Sequence, residues 1–286
     1  MVPFCFFWTI LSHPATRQRA LAARKDLDTL ELGVRIDLNA DVGESFGPYS
    51  IGQDAGLMKS ITSASIAAGF HGGDPSVLRA TIRLAKASGV AVGAHPGFPD
   101  LAGFGRRELR IAPTEAEDLV LYQVAAVAGV AAAEGLRLQH VKPHGALYTM
   151  AARDPVLAAA IARAVAAFDR SLILFGPPGS ALLDAARAVG LQVAAEAFAD
   201  RAYEPEGGLT PRDRPGAVID EPAAVVTRAV RLVIGRTVTA IDGTLVPLEA
   251  ATLCLHGDTR ESAALGAQVR AGLEAAGISV RPVGSR

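Results

Sequence analysis

Only two cysteines occur among the 286 residues, Cys5 and Cys254, near opposite ends of the chain. They cannot build a disulfide framework or a Cys-x-x-Cys metal motif, and a reduced, cytoplasmic setting follows. An excess of one charge sign is also lacking, since the formal net charge is −1. That leaves no basic face for nucleic acid and no polybasic patch for a membrane surface, so neither is expected as a partner. No apolar run reads as long enough for a membrane span. The phosphate-loop pattern GxxxxGK[ST] is missing as well; "GPPGS" at 176–180 reads as a turn into a helix.

What is present is apolar and orderly. Half the residues are hydrophobic and 20% are charged, which suits a globular chain with a sizeable core. The opening "MVPFCFFWTIL" has no basic stretch before it, and "SHPAT" is a poor cleavage site. Residues 1–33 therefore read as a non-core extension, from a misassigned start, rather than a signal peptide. No composition break divides residues 34–286, which read as one domain.

Four segments hand over from helix to strand in the same way: "KASGVAVGAH", "AAEGLRLQHV", "RAVGLQVAAE" and "EAAGISVRPV". Gly89, Gly135, Gly190 and Gly277 mark the helix ends, because glycine enters the left-handed conformation most easily. Asp74-Pro75 and Asp154-Pro155 mark helix starts, with an N-cap before a proline at the first helical position. Thr114 with Glu117, and Asp258 with Glu261, read as capping boxes. Strands are expected at 34–40, 62–68, 90–94, 138–142, 171–175, 191–195 and 251–255, with a short eighth at 278–282. Alternating strands and helices imply right-handed βα units and a parallel sheet. Periodicity alone fits a closed barrel and an open doubly wound sheet equally.

In "RIDLNADVGES", Ile36, Leu38 and Ala40 take one strand face while Asp37, Asn39 and Asp41 take the other. Such a polar track marks either a solvent-facing edge or a face turned toward a ligand. Four of the six histidines follow strands at the same end: His71, His95, His144 and His256. That is the end at which α/β folds build their sites. Carboxylates accompany them as Asp74, Asp100, Glu196, Asp200 and Asp258, though Asp74 and Asp258 also read as simple caps. His140 and Lys142 share a strand face and would point together into a barrel interior. In "VKPHGALY", Pro143 and Gly145 end the strand and aim Lys142 and His144 at that mouth. Such a set can position water, move protons or hold a divalent metal.

In order and spacing, "RIDLNADVGESFG", "SIAAGFHGGDP", "GAHPGFPDLAGFGRR", "VKPHGALY", "FADRAYEPEGGLTPR" and "CLHGD" resemble the LamB/YcsF family, the A subunits of bacterial 5-oxoprolinase. The resemblance covers about residues 34–283. It implies an irregular, seven-stranded, TIM-like β/α barrel related to the polysaccharide deacetylase barrels, with relatives starting near Val34. It also implies ATP as co-substrate, two partner subunits (B and C), and opening of 5-oxo-L-proline to L-glutamate. Ala68 stands where the family usually has cysteine, and "GLTPRD" departs slightly from the family's usual form; neither touches a histidine or carboxylate.

On these grounds Asp41, His71, His95, Lys142 and His144 are the catalytic candidates. Asp37, Asn39, Asp74, Glu196, Asp200, Arg201, His256 and Asp258 are the substrate-binding candidates, with Arg201 and Lys142 suited to a carboxylate or phosphate. A divalent metal, if bound, would take Asp41, His71 and His95. Lys142→Met and His144→Asn are expected to abolish activity and leave stability near normal. Two further readings compete: a stand-alone, metal-dependent amide or N-acetyl hydrolase of the deacetylase-barrel type, and a non-catalytic subunit that presents substrate. Activity of the isolated chain without ATP would single out the first of these.

Overall fold

The computed structural model describes residues 33–255, 257 and 261–285. Seven parallel strands form a closed barrel: β1 (Arg35–Val42), β2 (Ser63–Ala67), β3 (Ala91–His95), β4 (Leu138–Val141), β5 (Ile173–Gly176), β6 (Gln192–Phe198) and β9 (Thr252–Leu255). Closure comes from β9, which pairs with β6 on one side and with Asp37–Ala40 of β1 on the other. A short β10 (Ser279–Val280) extends β1 at its start. An antiparallel hairpin of β7 (Thr237–Thr239) and β8 (Leu245–Pro247), which the sequence pattern did not announce, precedes β9.

Helices α1 (Asp54–Leu57), α2 (Pro75–Ser88), α3 (Pro113–Ala133), α4 (Gly145–Ala151), α5 (Pro155–Phe168), α6 (Ala181–Ala188), α7 (Pro222–Gly235) and α8 (Ser262–Ala275) follow the strands. The core lies between barrel and helices. Ile36, Leu38, Ala40 and Val42 of β1 are buried with Leu78 and Ile82 of α2, Val120 and Val124 of α3, and Val269 and Leu273 of α8. Each such side chain contributes roughly 1.5–3 kcal/mol when fully buried.

Helix punctuation follows local chemistry. All four expected glycines have positive φ, from 67° at Gly89 to 81° at Gly190. Asp74 accepts from the Ser76 and Val77 amides, and Asp154 from those of Val156 and Leu157. The expected Thr114 box is not formed. Pro113 takes the first helical position with Ala112 as cap, which puts Thr114 inside the first turn, and Glu117 instead binds Arg163. Asp258 lies outside the described residues, and Glu261 caps α8 without a side-chain bond. The run at 113–133 is also longer and more apolar than the sequence reading allowed. It forms one helix of 21 residues whose mean hydropathy reaches 1.4, enough by length and composition for a membrane span. Its inward face buries Val120, Val124 and Val127, and Gln123 there clamps the backbone N–H and carbonyl of Gly97.

Candidate active site at the barrel mouth

The polar track of β1 is not a solvent edge. The strand is paired on both sides, so Asp37, Asn39 and Asp41 point into the barrel. A ladder of buried hydrogen bonds fills the interior. Asp37 accepts from Thr62 (2.6 Å), Ser63 (2.7 Å) and Thr252 (2.5 Å). Burial outweighs these hydroxyls and pushes its carboxyl up to about 6. Asn39 donates to Thr252 and to Glu196 Oε1, at 2.7 and 2.8 Å. His140 fills the adjoining space, stacked on Phe175 and bonded to Ser65. Burial first, then the Lys142 charge, lowers its pKa to about 3, so it serves as neutral packing.

Lys142 joins this floor to the mouth. Its Nζ meets Glu196 Oε1 at 2.8 Å, Asp41 Oδ1 at 2.9 Å, Asn39 Oδ1 at 3.0 Å and Cys254 Sγ at 3.0 Å. Burial alone would lower the ammonium, but the carboxylates of Asp41 and Glu196 outweigh it and raise it well above the ordinary lysine value. Burial drives the Cys254 thiol well up, so it remains protonated beside the lysine.

The histidines stand above. His95 Nδ1 lies 2.7 Å from the Lys142 carbonyl and His144 Nε2 lies 2.8 Å from the Phe104 carbonyl. A carbonyl oxygen only accepts, so each of these nitrogens carries a proton and donates it. The remaining nitrogens, His95 Nε2 and His144 Nδ1, face each other at 2.9 Å. His71 stacks on His144 with ring centroids 3.7 Å apart, and its Nε2 is 3.4 Å from Glu44 Oε1. Burial, then His144 and His95, hold His71 well below the ordinary imidazole range; burial and His95 do the same to His144. Glu44, His71, His95 and His144 thus gather four donor atoms, all within 4.8 Å of one another.

A cavity of about 430 Å³ opens over Asp41, Glu44, His95, Lys142 and His144, with Arg106, Arg201 and Arg212 at its rim. The sequence candidates divide accordingly. Asp41, His95, Lys142 and His144 line the cavity, His71 lies behind His144, and Asn39 and Glu196 support Lys142 from below. Asp37 sits deeper, out of reach of a ligand in the mouth. Asp74 is a helix cap that also accepts from the Gly47 amide, and it does not line the cavity. Asp200 is buried beside the mouth without lining the cavity, and its backbone carbonyl holds Ile219. Arg201 reaches the rim but donates to the carbonyls of Ala217 and Thr210, so it braces that loop. Burial and Arg212 lower its pKa to about 10. His256 and Asp258 lie outside the described residues.

Glu44 was missed by the sequence reading. Its only signal is its place three residues beyond Asp41, in the loop that leaves the polar strand. Cys254, absent from the sequence candidates, touches Lys142. Ser45 belongs to a G-x-S-x-G spelling, "GESFG", but its hydroxyl is engaged with the Ile51 backbone.

Residues 36–286 match the model of the LamB/YcsF family. The chain is 57% identical over 249 residues to the 5-oxoprolinase A subunit of Methylococcus capsulatus, covering 87% of this chain and 96% of that protein. It is 56% identical over 246 residues to the protein of the same name from Chloroflexus aggregans, covering 86% and 98%. The crystal structure of a lactam utilization protein from Thermus thermophilus superposes with a TM-score of 0.82 at 49% identity, covering 86% of this chain and 99% of that one.

Proposed function

The chain belongs to the LamB/YcsF family, and from that footing we propose that it is the A subunit of an ATP-dependent 5-oxoprolinase. It opens 5-oxo-L-proline to L-glutamate with two partner subunits, B and C. The observation that carries this reading is Lys142, a buried cation held between Asp41 and Glu196 at the floor of a cavity walled by His95 and His144. Relatives 52–57% identical are named as 5-oxoprolinase A subunits, which supports the substrate and the multi-subunit setting.

Ring opening adds water to the C5 carbonyl carbon, breaks the C5–N bond and delivers a proton to the departing nitrogen. The ring nitrogen becomes the α-amino group and C5 becomes the side-chain carboxylate. The lactam is free of ring strain, so ring opening is coupled to cleavage of ATP to ADP and phosphate, which supplies the driving force. Asp41 stands between Lys142 and His95, at 2.9 and 3.3 Å, and takes the proton of the incoming water. Lys142 offsets charge developing on the carbonyl oxygen. Asp41, once protonated, returns that proton to the departing nitrogen, while His95 and His144 wall the cavity beside it. Arg106 and Arg212 at the rim face the substrate carboxylate or the nucleotide phosphates. A divalent metal held among the histidines would polarise the lactam carbonyl.

The imidazole cluster also favours a second reading, a stand-alone metal-dependent amide hydrolase. One assay separates the two. The purified chain is incubated with 5-oxo-L-proline alone, with ATP, and with ATP and both partner subunits, and glutamate is measured. Glutamate only in the complete mixture is expected. Lactam or amide hydrolysis by the chain alone, without ATP, would replace the first reading with the second.

A further inference from the structure

We infer that the histidine cluster is a four-donor site for a first-row transition ion of the zinc type, with Glu44 as its carboxylate ligand and Asp41 outside the ligand set. The ligating atoms are His71 Nε2, His95 Nε2, His144 Nδ1 and Glu44 Oε1. The inference rests on the proposed reaction only for the use made of the ion.

Distance supplies the first support. His95 Nε2 and His144 Nδ1 are 2.9 Å apart, and Glu44 Oε1 is 3.4 Å from His71 Nε2 and 3.5 Å from His144 Nδ1. Donors arranged tetrahedrally at zinc-type bond lengths of about 2.0–2.1 Å are separated by about 3.3 Å. Three of the six donor pairs are near that spacing, and all four donors lie within 4.8 Å of one another.

Tautomers supply the second. The carbonyls of Lys142 and Phe104 fix the protons of His95 and His144 on the outward nitrogens. The inner nitrogens, His95 Nε2 and His144 Nδ1, therefore face each other at 2.9 Å, close enough for one cation to accept from both. Backbone acceptors on the outer nitrogen are the usual device for orienting metal-binding imidazoles.

His71 supplies the third. Its side chain is wholly buried, and neither ring nitrogen makes a hydrogen bond among the described residues. Buried polar groups are normally satisfied, and an ion shared with Glu44 would supply the partner this ring lacks. The backbone also gives way to it: a Cβ on Gly97 would lie 2.5 Å from His71 Nδ1, and one on Gly105 would lie 2.7 Å from His71 Cβ.

The choice between the carboxylates follows from Lys142. Asp41 Oδ1 holds that buried ammonium at 2.9 Å, and drawing it away to an ion would strip the lysine of one of its two carboxylates. Asp41 also reaches His95 Nε2 at 3.3 Å, but Glu44 contacts two of the rings, His71 and His144, and has no such tie to Lys142 among the described residues. Three imidazoles and one carboxylate select zinc, cobalt or nickel over magnesium or calcium, which prefer oxygen shells.

The test uses the full chain without a histidine tag, purified without chelator. Elemental analysis is expected to find about one transition-metal ion per chain. After removal of metal, titration with Co²⁺ should give the intense visible absorption of a four- or five-coordinate ion at one equivalent. Glu44→Gln and His71→Ala should lose stoichiometric Co²⁺ binding, whereas Asp41→Asn should keep it. A wild-type chain that neither retains metal nor develops the Co²⁺ spectrum overturns the site, whatever the folding of the variants. Loss of binding in Asp41→Asn with retention in Glu44→Gln overturns the ligand set. Glutamate formation by a complex in which this chain cannot be loaded with metal would remove this inference and leave the oxoprolinase reading intact. A metal-loaded chain inactive with its partners would do the reverse.

Discussion

Replacing Lys142 by methionine tests the floor of the site. The residue is 2% exposed, and its ammonium is gripped by Asp41 and Glu196 at 2.9 and 2.8 Å. Methionine matches its length but removes the positive charge that the two carboxylates share. Breaking a buried pair from one side costs about 3–5 kcal/mol, because the remaining charge is left without compensation. For a domain of this size that corresponds to a fall in Tm on the order of 10 °C. The expectation from sequence, that stability would stay near normal, treated Lys142 as a free active-site group; its burial between two acids makes it structural as well.

The assay is thermal and urea unfolding of wild type and variant, with 5-oxoprolinase activity of the reconstituted complex alongside. Double replacement of Lys142 by Met and Glu196 by Gln should recover part of the loss. A single Lys142→Met variant with wild-type Tm at neutral pH would refute the electrostatic account. Wild-type activity in that variant would refute the catalytic one.

Asp37, raised from 3.8 to about 6, binds its proton more tightly folded than unfolded, so its penalty is present above pH 6 and relieved as pH falls toward 4. Relative to Asp37→Asn, wild type should therefore gain up to roughly 3 kcal/mol between pH 7 and pH 4, and parallel Tm profiles would contradict this. Gly93→Ala would set a Cβ 2.3 Å from the His140 ring, itself stacked on Phe175, and unfolding should show a loss of about 3 kcal/mol or more. Asp74→Ala should lower the melting temperature modestly and leave the Michaelis constant for 5-oxo-L-proline unchanged, since Asp74 caps α2. A raised Michaelis constant would return Asp74 to the site.

Seven of the strands and the glycine-closed helices were readable because both depend on short-range patterns: apolar alternation, and the positive φ that glycine adopts at Gly89 or Gly190. Barrel closure was not. It depends on β9 reaching β1 across more than two hundred residues, as in the Asn39–Thr252 bond, and no local period encodes that pairing. Glu44 escaped for a related reason. It lies in an irregular loop, and only the path set by Gly43 at φ 68° and the Ser45–Ile51 bonds carries it back to His71. Asp74 shows the converse ambiguity: a carboxylate after a strand-end histidine reads the same whether it caps a helix or meets a ligand, and the structure shows it capping α2.

The polar track of β1 explains why "VKPHGALY" places a lysine at a strand end. Small parallel barrels are ordinarily filled by layers of branched apolar side chains. Here the interior holds Asp37, Asn39, Asp41 and Glu196 instead, and such a set is tolerable only if each member is bonded and the charge is offset. Thr62, Ser63 and Thr252 bond Asp37 at the bottom, while Lys142 offsets the acids above. The same network fixes the Lys142 backbone, whose carbonyl orients His95, which in turn faces His144. Pro143 ends the strand and Gly145, at φ 55°, turns the chain within contact of the Gly105 carbonyl. The buried ladder thus sets the geometry of the mouth from beneath. Substitutions at Asn39 or Thr252 should therefore disturb His95 and Asp41 without any contact to substrate, seen as a lowered kcat at unchanged KM.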